Sequence, residues 1–134
     1  MNRRVFLGNS VIALTAAVLN KANASVRVPA TVGIIGHTGR GNYGHGMDTC
    51  WLHNPYFKIT SVADADAEGL KKAADRLGNP KAYRDYEVML QKERPTYVAI
   101  APRHIDQHAK MVLSAMKYGV KGIYIEKPFC RDLR

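Results

Sequence analysis

The sequence contains few cysteines and no C-x-x-C pair. Among its 134 residues only Cys50 and Cys130 are cysteines, which are too few and too far apart for a disulfide framework. Without a C-x-x-C pair, a structural zinc site has no support in the sequence. Cys50 stands beside Trp51 in a helical pattern, so we expect it to be a small buried residue.

The sequence also lacks a block of like charges. Its formal net charge is +9, but Arg3, Arg4 and Lys21 precede every acidic residue of the chain. The remaining basic residues are scattered along the chain, with no block of five or six like charges. This pattern is typical of a mildly cationic surface and not of a nucleic-acid-binding groove. We therefore predict no nucleic-acid partner.

No apolar run reaches the roughly 20 residues that a membrane-spanning helix requires. The run from Val11 to Leu19 is preceded by the pair Arg3-Arg4 and followed by Ala22-Asn23-Ala24. A charged start, a short apolar run and small residues at the cleavage position are typical of a signal peptide. The paired arginines before Val5-Phe-Leu resemble a twin-arginine (Tat) export signal. We predict a signal peptide over residues 1–24, no stable membrane anchor, and export through Tat to the periplasm or another extracytoplasmic compartment.

Residues 25–134 alternate between strand patterns and helix patterns. The apolar and β-branched runs predict strands at about 31–35, 57–63, 81–83, 97–101 and 122–125. The helical patterns lie at about 43–53, 67–77, 86–93 and 105–118, with Asp66 and Asp85 as N-caps and Gly78 at a helix C′ position. This alternation predicts right-handed βαβ units and a doubly wound, parallel, Rossmann-type α/β sheet.

A glycine-rich segment follows the first predicted strand. Within it, Gly39-Arg-Gly-Asn-Tyr-Gly44 matches G-x-G-x-x-G, and Asp64 stands at the end of the second predicted strand. Backbone amides at the start of the next helix can hold a pyrophosphate, and glycines leave room for it. An acid about 20 residues further on can bind the adenosine ribose. The combination predicts a dinucleotide site.

A glycine-rich segment of this kind can also have three other roles. A Walker A loop requires Gly-Lys-Ser/Thr, whereas Gly41 is followed by Asn and Gly44 by His. An S-adenosylmethionine site also combines a glycine loop with a strand-end acid, and it stays open. A glycine-rich turn without a ligand stays open as well.

The glycine segment, Asp64, Ala99-Ile-Ala-Pro-Arg-His104 and Glu126-Lys-Pro128 together resemble the Gfo/Idh/MocA oxidoreductases. The resemblance covers about residues 30–134. It implies an N-terminal Rossmann domain that binds NAD or NADP, followed by a C-terminal substrate domain. It also implies hydride transfer on a sugar, cyclitol or related polyol by a homo-oligomeric parent enzyme.

The resemblance implies four groups of site residues. The pyrophosphate turn, with side chains that reach the phosphates, comprises Gly36, His37, Gly39, Arg40, Gly41 and Gly44. Asp64 would bind the ribose, and near the cofactor would lie Pro102, Arg103 and His104. The wall between nicotinamide and substrate would comprise Glu126, Lys127 and Pro128.

Lys127 is the predicted catalytic residue. Its ammonium can hydrogen-bond a substrate hydroxyl and stabilise the developing alkoxide. The carboxylate of Asp64, supported by Asp66, disfavours a 2′-phosphate, so we predict NAD, with NADP as the alternative. His104 and His108 have no third ligand nearby in the sequence, and we predict no metal site.

The sequence ends at Arg134, before the substrate domain and its acid/base histidine that the resemblance implies. Asp132 has the character of an N-cap for a helix that has barely begun. We therefore expect an incomplete enzyme that can at most bind its cofactor. Two other functions stay open: a non-catalytic Rossmann binding or regulatory module, and an S-adenosylmethionine-dependent methyltransferase.

Overall fold

The structure is a computed structural model that describes residues 27–131. The predicted signal peptide and the predicted cap at Asp132 lie outside the described residues and stay predictions. The elements are β1 (Ala30–Ile35), β2 (Phe57–Ala63), α1 (Ala67–Arg76), β3 (Lys81–Tyr83), α2 (Tyr86–Glu93), β4 (Tyr97–Ile100), α3 (His108–Lys117) and β5 (Gly122–Ile125). A short 3-10 helix at Ile105–Gln107 precedes α3.

The five strands form one parallel sheet in the order β3-β2-β1-β4-β5. β1 therefore lies at the centre, where Val32 pairs with Ile59 of β2 and with Tyr97 of β4. This arrangement confirms the predicted Rossmann-type α/β fold. The direction in which the strands are added reverses between β1 and β4, which is the point where open α/β sheets bind their ligands.

Both faces of the sheet are covered, which explains the nearly continuous apolar strands. On one face, Val32 and Ile34 of β1 pack with Leu70 and Ala73 of α1. On the other face, a second buried cluster joins the sheet to α2 and α3; its members include Ile35, Met89, Leu90, Ile100, Met111 and Ala115. The central strands are thus enclosed between two layers.

The helix ends follow the predicted capping residues. The Asp66 carboxylate accepts a 2.7 Å hydrogen bond from the Gly69 amide at the start of α1, and Gly78 beyond its end has φ +81°. Asp85 accepts a 2.7 Å bond from the Glu87 amide at the start of α2. The helix predicted over 105–118 is divided into a 3-10 turn and α3, a common form of helix N-terminus.

The predicted helix over residues 43–53 is wrong, because these residues form consecutive turns. Gly44 and Gly46 have φ values of +61° and +77°, whereas a right-handed helix requires negative φ. The prediction that Cys50 is buried is also wrong, since this side chain is exposed. Cys50 was expected to be buried because it stands in a helical pattern, and these residues do not form a helix.

Side-chain contacts hold this turn segment on the sheet. The buried Asp48 carboxylate accepts a 2.6 Å hydrogen bond from Arg76 Nε of α1, and the Arg76 guanidinium lies 4.4 Å from the centre of the Tyr43 ring. Trp51 contacts Phe57 and Tyr124 edge to face, at ring distances of 5.0 and 5.9 Å. The segment is therefore anchored to α1 and to the sheet.

No helix within residues 27–131 has the length and apolarity to cross a bilayer.

Candidate dinucleotide-binding site

The residues predicted for the site meet at one edge of the sheet. Gly36 directly follows β1, Asp64 follows β2, Pro102 lies two residues past β4, and Glu126 follows β5. Parallel strands bring their carboxyl ends to the same edge, and this edge includes the boundary between β1 and β4. The structure therefore brings the four predicted groups together at this edge of the sheet.

The glycine loop, residues 36–46, closes on itself in its first half. The Asn42 amide donates to the His37 carbonyl at 2.9 Å, and the His37 amide donates to the Asn42 carbonyl at 3.1 Å. The Gly39 amide donates to Asn42 Oδ1 at 2.9 Å. Gly39 and Gly41 have φ values of +84° and +93°, which favour glycine. In this conformation these amides bond atoms of the loop itself, and their contact with a pyrophosphate stays a prediction.

Gly41 and Gly44 let the loop lie against the ends of neighbouring strands. A Cβ added to Gly41 would lie 2.2 Å from the Arg103 nitrogen, and one added to Gly44 would lie 2.3 Å from Glu126 Oε2. Both distances are far below van der Waals contact. The two glycines therefore have a packing role that the motif did not reveal: they bring the loop onto the ends of β4 and β5.

Side chains of the loop reach the segment between β4 and α3. His37 Nδ1 lies 2.7 Å from Gln107 Oε1, and Arg40 forms an ion pair with Asp106. The Arg40 and Asp106 side chains are 46% and 39% exposed, so this pair contributes little to stability. Asp106 and Gln107 were not predicted as site residues, because polar residues are common at the start of a helix and these two belong to no motif.

Glu126 holds the second half of the loop. Its Oε2 accepts hydrogen bonds from the His45 amide at 2.8 Å and lies 2.9 Å from His45 Nδ1, while Oε1 accepts from the Lys127 amide at 2.9 Å. Burial by itself raises the pKa of the Glu126 carboxyl, but the bonds from His45 and Lys127 outweigh it and hold the pKa below its ordinary value. Glu126 thus positions the loop beside Lys127. The contact of His45 with Glu126, 81 residues further along the chain, was not predicted.

Asp64 is buried, with 1% of its surface exposed. Its Oδ1 accepts from the amides of Thr38 and Asp66, at 3.0 and 2.9 Å. Its Oδ2 accepts from the Thr38 hydroxyl at 2.7 Å and lies 3.1 Å from the Thr38 amide. Thr38 was absent from the predicted site. The predicted bond between Asp64 and a ribose stays a prediction.

A cavity of about 270 Å³ opens beside Asp64. Its lining includes Gly36, His37, Asp64, Ala65, Arg84 and Tyr86. Arg84 Nε donates to the Ala65 carbonyl at 2.9 Å, which fixes the guanidinium at the rim of the cavity. The cavity lies beyond the end of β2, where the predicted adenosine would sit.

The other predicted residues differ in exposure. Arg103, His104 and Lys127 are exposed at the edge, whereas Pro102 is buried. The Lys127–Pro128 peptide bond is cis.

Within residues 27–131 no group of three His, Cys, Asp or Glu side chains is arranged to hold a metal ion.

His108 connects two parts of the site and was missed as a structural residue. Its buried ring places Nε2 2.7 Å from the Pro102 carbonyl oxygen and Nδ1 3.1 Å from the Pro128 carbonyl oxygen. The segments that follow β4 and β5 are thereby tied together. The spacing of His108 from His104 suggested only a metal pair, because its partners, 6 and 20 residues away, are backbone carbonyls that no residue type identifies.

Known proteins resemble this chain at the level of sequence and fold. D-apiose dehydrogenase from Paraburkholderia graminis is 36% identical over 76 residues, which cover 57% of this chain and 20% of that protein. A glycosyl hydrolase family 109 protein from Streptomyces coelicolor is 31% identical over 124 residues, covering 84% of this chain and 24% of that protein. The structure of myo-inositol dehydrogenase from Lactobacillus casei with NAD(H) and myo-inositol matches with TM-score 0.62 and 25% identity, over 77% of this chain and 30% of that one.

The chain therefore spans less than a third of the length of each of these proteins. Its residues 30–134 match the Gfo/Idh/MocA family, described as an oxidoreductase family with an NAD-binding Rossmann fold. The match covers all five strands and every predicted site residue. This chain belongs to the Gfo/Idh/MocA oxidoreductases and carries their NAD-binding Rossmann fold.

Proposed function

We propose that this domain binds NAD, with NADP as the alternative, and that the whole protein transfers hydride to or from a sugar, cyclitol or related polyol. The observation that carries the proposal is the meeting of the glycine loop, Asp64 and Glu126-Lys-Pro128 at the switch point of the sheet. Two relatives, an apiose dehydrogenase and an inositol dehydrogenase, support the substrate class by their names.

The residues at this edge fit the parts of a dinucleotide. Adenosine would occupy the cavity beside Asp64, with the ribose hydroxyls directed at that carboxylate. Arg40 within the glycine loop and Arg103 beside it carry cationic side chains that would attract the pyrophosphate. The nicotinamide would then reach the end of β5, where the cofactor supplies hydride transfer.

Lys127 is the proposed catalytic residue of this domain. Its side chain is exposed, and its amide is held by the buried Glu126 carboxylate. An ammonium here would hydrogen-bond the substrate hydroxyl that loses or gains hydride at its carbon, and would stabilise the alkoxide as charge develops. Pro128 and Glu126 would form the wall around it.

The parent protein is proposed to be a homo-oligomer that completes the substrate site outside this chain. We also propose that residues 1–24 direct export of the folded protein through the Tat route. Binding of the cofactor before export is consistent with a route for folded proteins.

The relation to a glycosyl hydrolase family 109 protein favours a second candidate for the whole protein, cleavage of a glycosidic bond. The two activities have different products. A dehydrogenase forms NADH from NAD and a free polyol, whereas a hydrolase releases a sugar from a glycoside.

The direct test is a fluorescence titration of the full 134-residue chain with NADH and with NADPH. Asp64→Asn removes the charge of the ribose acid, and Asp75→Asn, at an exposed site on α1, is the matched control. We expect saturable NADH binding that Asp64→Asn weakens and Asp75→Asn leaves unchanged. Absence of NADH binding by a chain that circular dichroism shows to be folded would overturn the proposal. Binding of S-adenosylmethionine in its place would favour the methyltransferase.

A further inference from the structure

The carboxylate predicted to bind ribose already has a partner inside the protein. The Thr38 hydroxyl donates to Asp64 Oδ2 at 2.7 Å, and the Thr38 amide lies 3.0 and 3.1 Å from the two carboxylate oxygens. A hydroxyl and a second donor on one short segment approach one carboxylate, as the two hydroxyls of a ribose would. Thr38 thus presents the same type of donor that the ligand would bring.

Three donors already surround the Asp64 carboxylate. A carboxylate offers about four lone-pair positions, and the Thr38 amide, the Thr38 hydroxyl and the Asp66 amide take up most of those of Asp64. Only 1% of Asp64 is exposed. The two hydroxyls of a ribose therefore need a position that a present donor holds, and the Thr38 hydroxyl is the donor that a side-chain rotation removes.

The position of Thr38 is built into helix α1. A Cβ on Gly69 would lie 1.9 Å from Thr38 Oγ1 and 3.1 Å from Asp64 Oδ2. Glycine inside a helix is unfavourable relative to alanine, and Gly69 has no positive φ that would require it. The space left by its missing side chain is filled by the Thr38 hydroxyl.

The loop register gives the same residue a special place. Gly36 directly follows β1, and its amide donates to the Ala63 carbonyl at 2.9 Å. A second register of the motif begins at Gly36, three residues before the match at Gly39–Gly44, and reads Gly-His-Thr-Gly-Arg-Gly41. In this register Thr38 stands where G-x-G-x-x-G has its second glycine. That glycine lets the backbone approach the pyrophosphate, and here a side chain stands there instead.

We propose that Thr38 is an internal competitor of the cofactor ribose for the Asp64 carboxylate and thereby lowers the affinity of the site for NAD. The inference rests on the proposed function, because it names the residue that regulates the same site. In the free protein the Thr38 hydroxyl bonds Asp64 and holds the glycine loop against β2. When the dinucleotide binds, the ribose hydroxyls replace the Thr38 hydroxyl, which turns away from α1.

The experiment measures the Kd of NADH for the full chain by fluorescence titration. Thr38→Val removes the hydroxyl and keeps the β-branched shape, and Thr38→Ser restores the hydroxyl. Thr60→Val in β2 is the matched control, since it makes the same chemical change outside the site. Gly69→Ala approaches the contact from the other side, because its methyl group would lie 1.9 Å from the Thr38 hydroxyl oxygen and 2.6 Å from Thr38 Cβ and would displace this side chain.

We expect Thr38→Val and Gly69→Ala each to lower the Kd of NADH about tenfold, the factor that corresponds to one hydrogen bond to a charged group. Thr38→Ser and Thr60→Val should keep the wild-type Kd. A gain in affinity cannot arise from damage to the fold. An unchanged or raised Kd in Thr38→Val would overturn the inference, whatever Gly69→Ala does. If the folded wild-type chain and all variants bind no NADH, the proposed function itself fails.

Discussion

Replacing Glu126 with glutamine should destabilise the domain, although the two side chains have nearly the same shape. The buried carboxylate accepts from the amides of His45 and Lys127 through different oxygens. A glutamine has one acceptor oxygen, and its NH2 group must face one of these donors. The loss of one hydrogen bond to a buried charged acceptor costs about 2 kcal/mol. For a domain of this size we expect Tm to fall by about 10 °C.

The loss of stability caused by Glu126→Gln should also depend on pH. The hydrogen bonds hold the pKa of Glu126 below its ordinary value in the folded state. Its contribution to stability is therefore present above the unfolded pKa of about 4.3 and is lost as pH falls through the folded pKa. The difference in free energy of unfolding between wild type and Glu126→Gln should be full at pH 7 and shrink as the pH falls below about 4.

Urea unfolding followed by the fluorescence of Trp51, the single tryptophan of the chain, measures this difference at each pH. Glu68→Gln is the control, because Glu68 is 77% exposed in its pair with Lys72 and should change stability by less than about 0.5 kcal/mol. Equal losses for Glu68→Gln and Glu126→Gln, or a loss at Glu126 that is the same at pH 3 and pH 7, would refute the reasoning.

Three further changes test other contacts, each by the urea midpoint of unfolding. Gly44→Ala should cost about 2 kcal/mol or more, because its Cβ would meet Glu126 at 2.3 Å, whereas Gly39→Ala has no atom within 4 Å and should cost only about 1 kcal/mol for its positive φ; equal costs would contradict the packing role. Asp66→Ala removes the cap of α1 and should cost about 1 kcal/mol, and Asp66→Asn should restore most of it. His108→Ala removes the buried link between Pro102 and Pro128 and should cost about 3 kcal/mol; a loss below about 1 kcal/mol would show that the link is weak.

The strands and three of the helices could be predicted because their signals are local. Strand β2 was predicted with its observed limits, since an apolar run ends there at Asp64. The helix over 43–53 failed because its apolar spacing is helical while Gly44 and Gly46 adopt positive φ. Glycine spacing does not reveal the sign of φ, which here is coupled to packing against β4 and β5.

The site was predicted only in part because its contacts join distant segments. The predicted carboxyl ends of four parallel strands indicated that Asp64 and Glu126 would lie at the same edge of the sheet as the glycine loop. The partners of those carboxylates, Thr38 and His45, lie 26 and 81 residues away in the chain. One local signal did exist: Gly69 inside α1 is typical of a close approach to the helix, and the approaching residue is Thr38.

The order of the strands has a consequence for how the domain folds. β1 pairs with β2 across 27 residues at Ala30 and Phe57, but with β4 across 65 residues at Val32 and Tyr97. Closing the longer loop costs more chain entropy and is slower. We expect β1, β2 and β3 to associate first, and the β4–β5 half to join later. The loop contacts at Arg103 and Glu126 then form last. In refolding followed by pulsed hydrogen exchange, the amides of His45 and Lys127 should become protected after those of Ala30 and Gly36, which donate to the Tyr56 and Ala63 carbonyls on the β2 side.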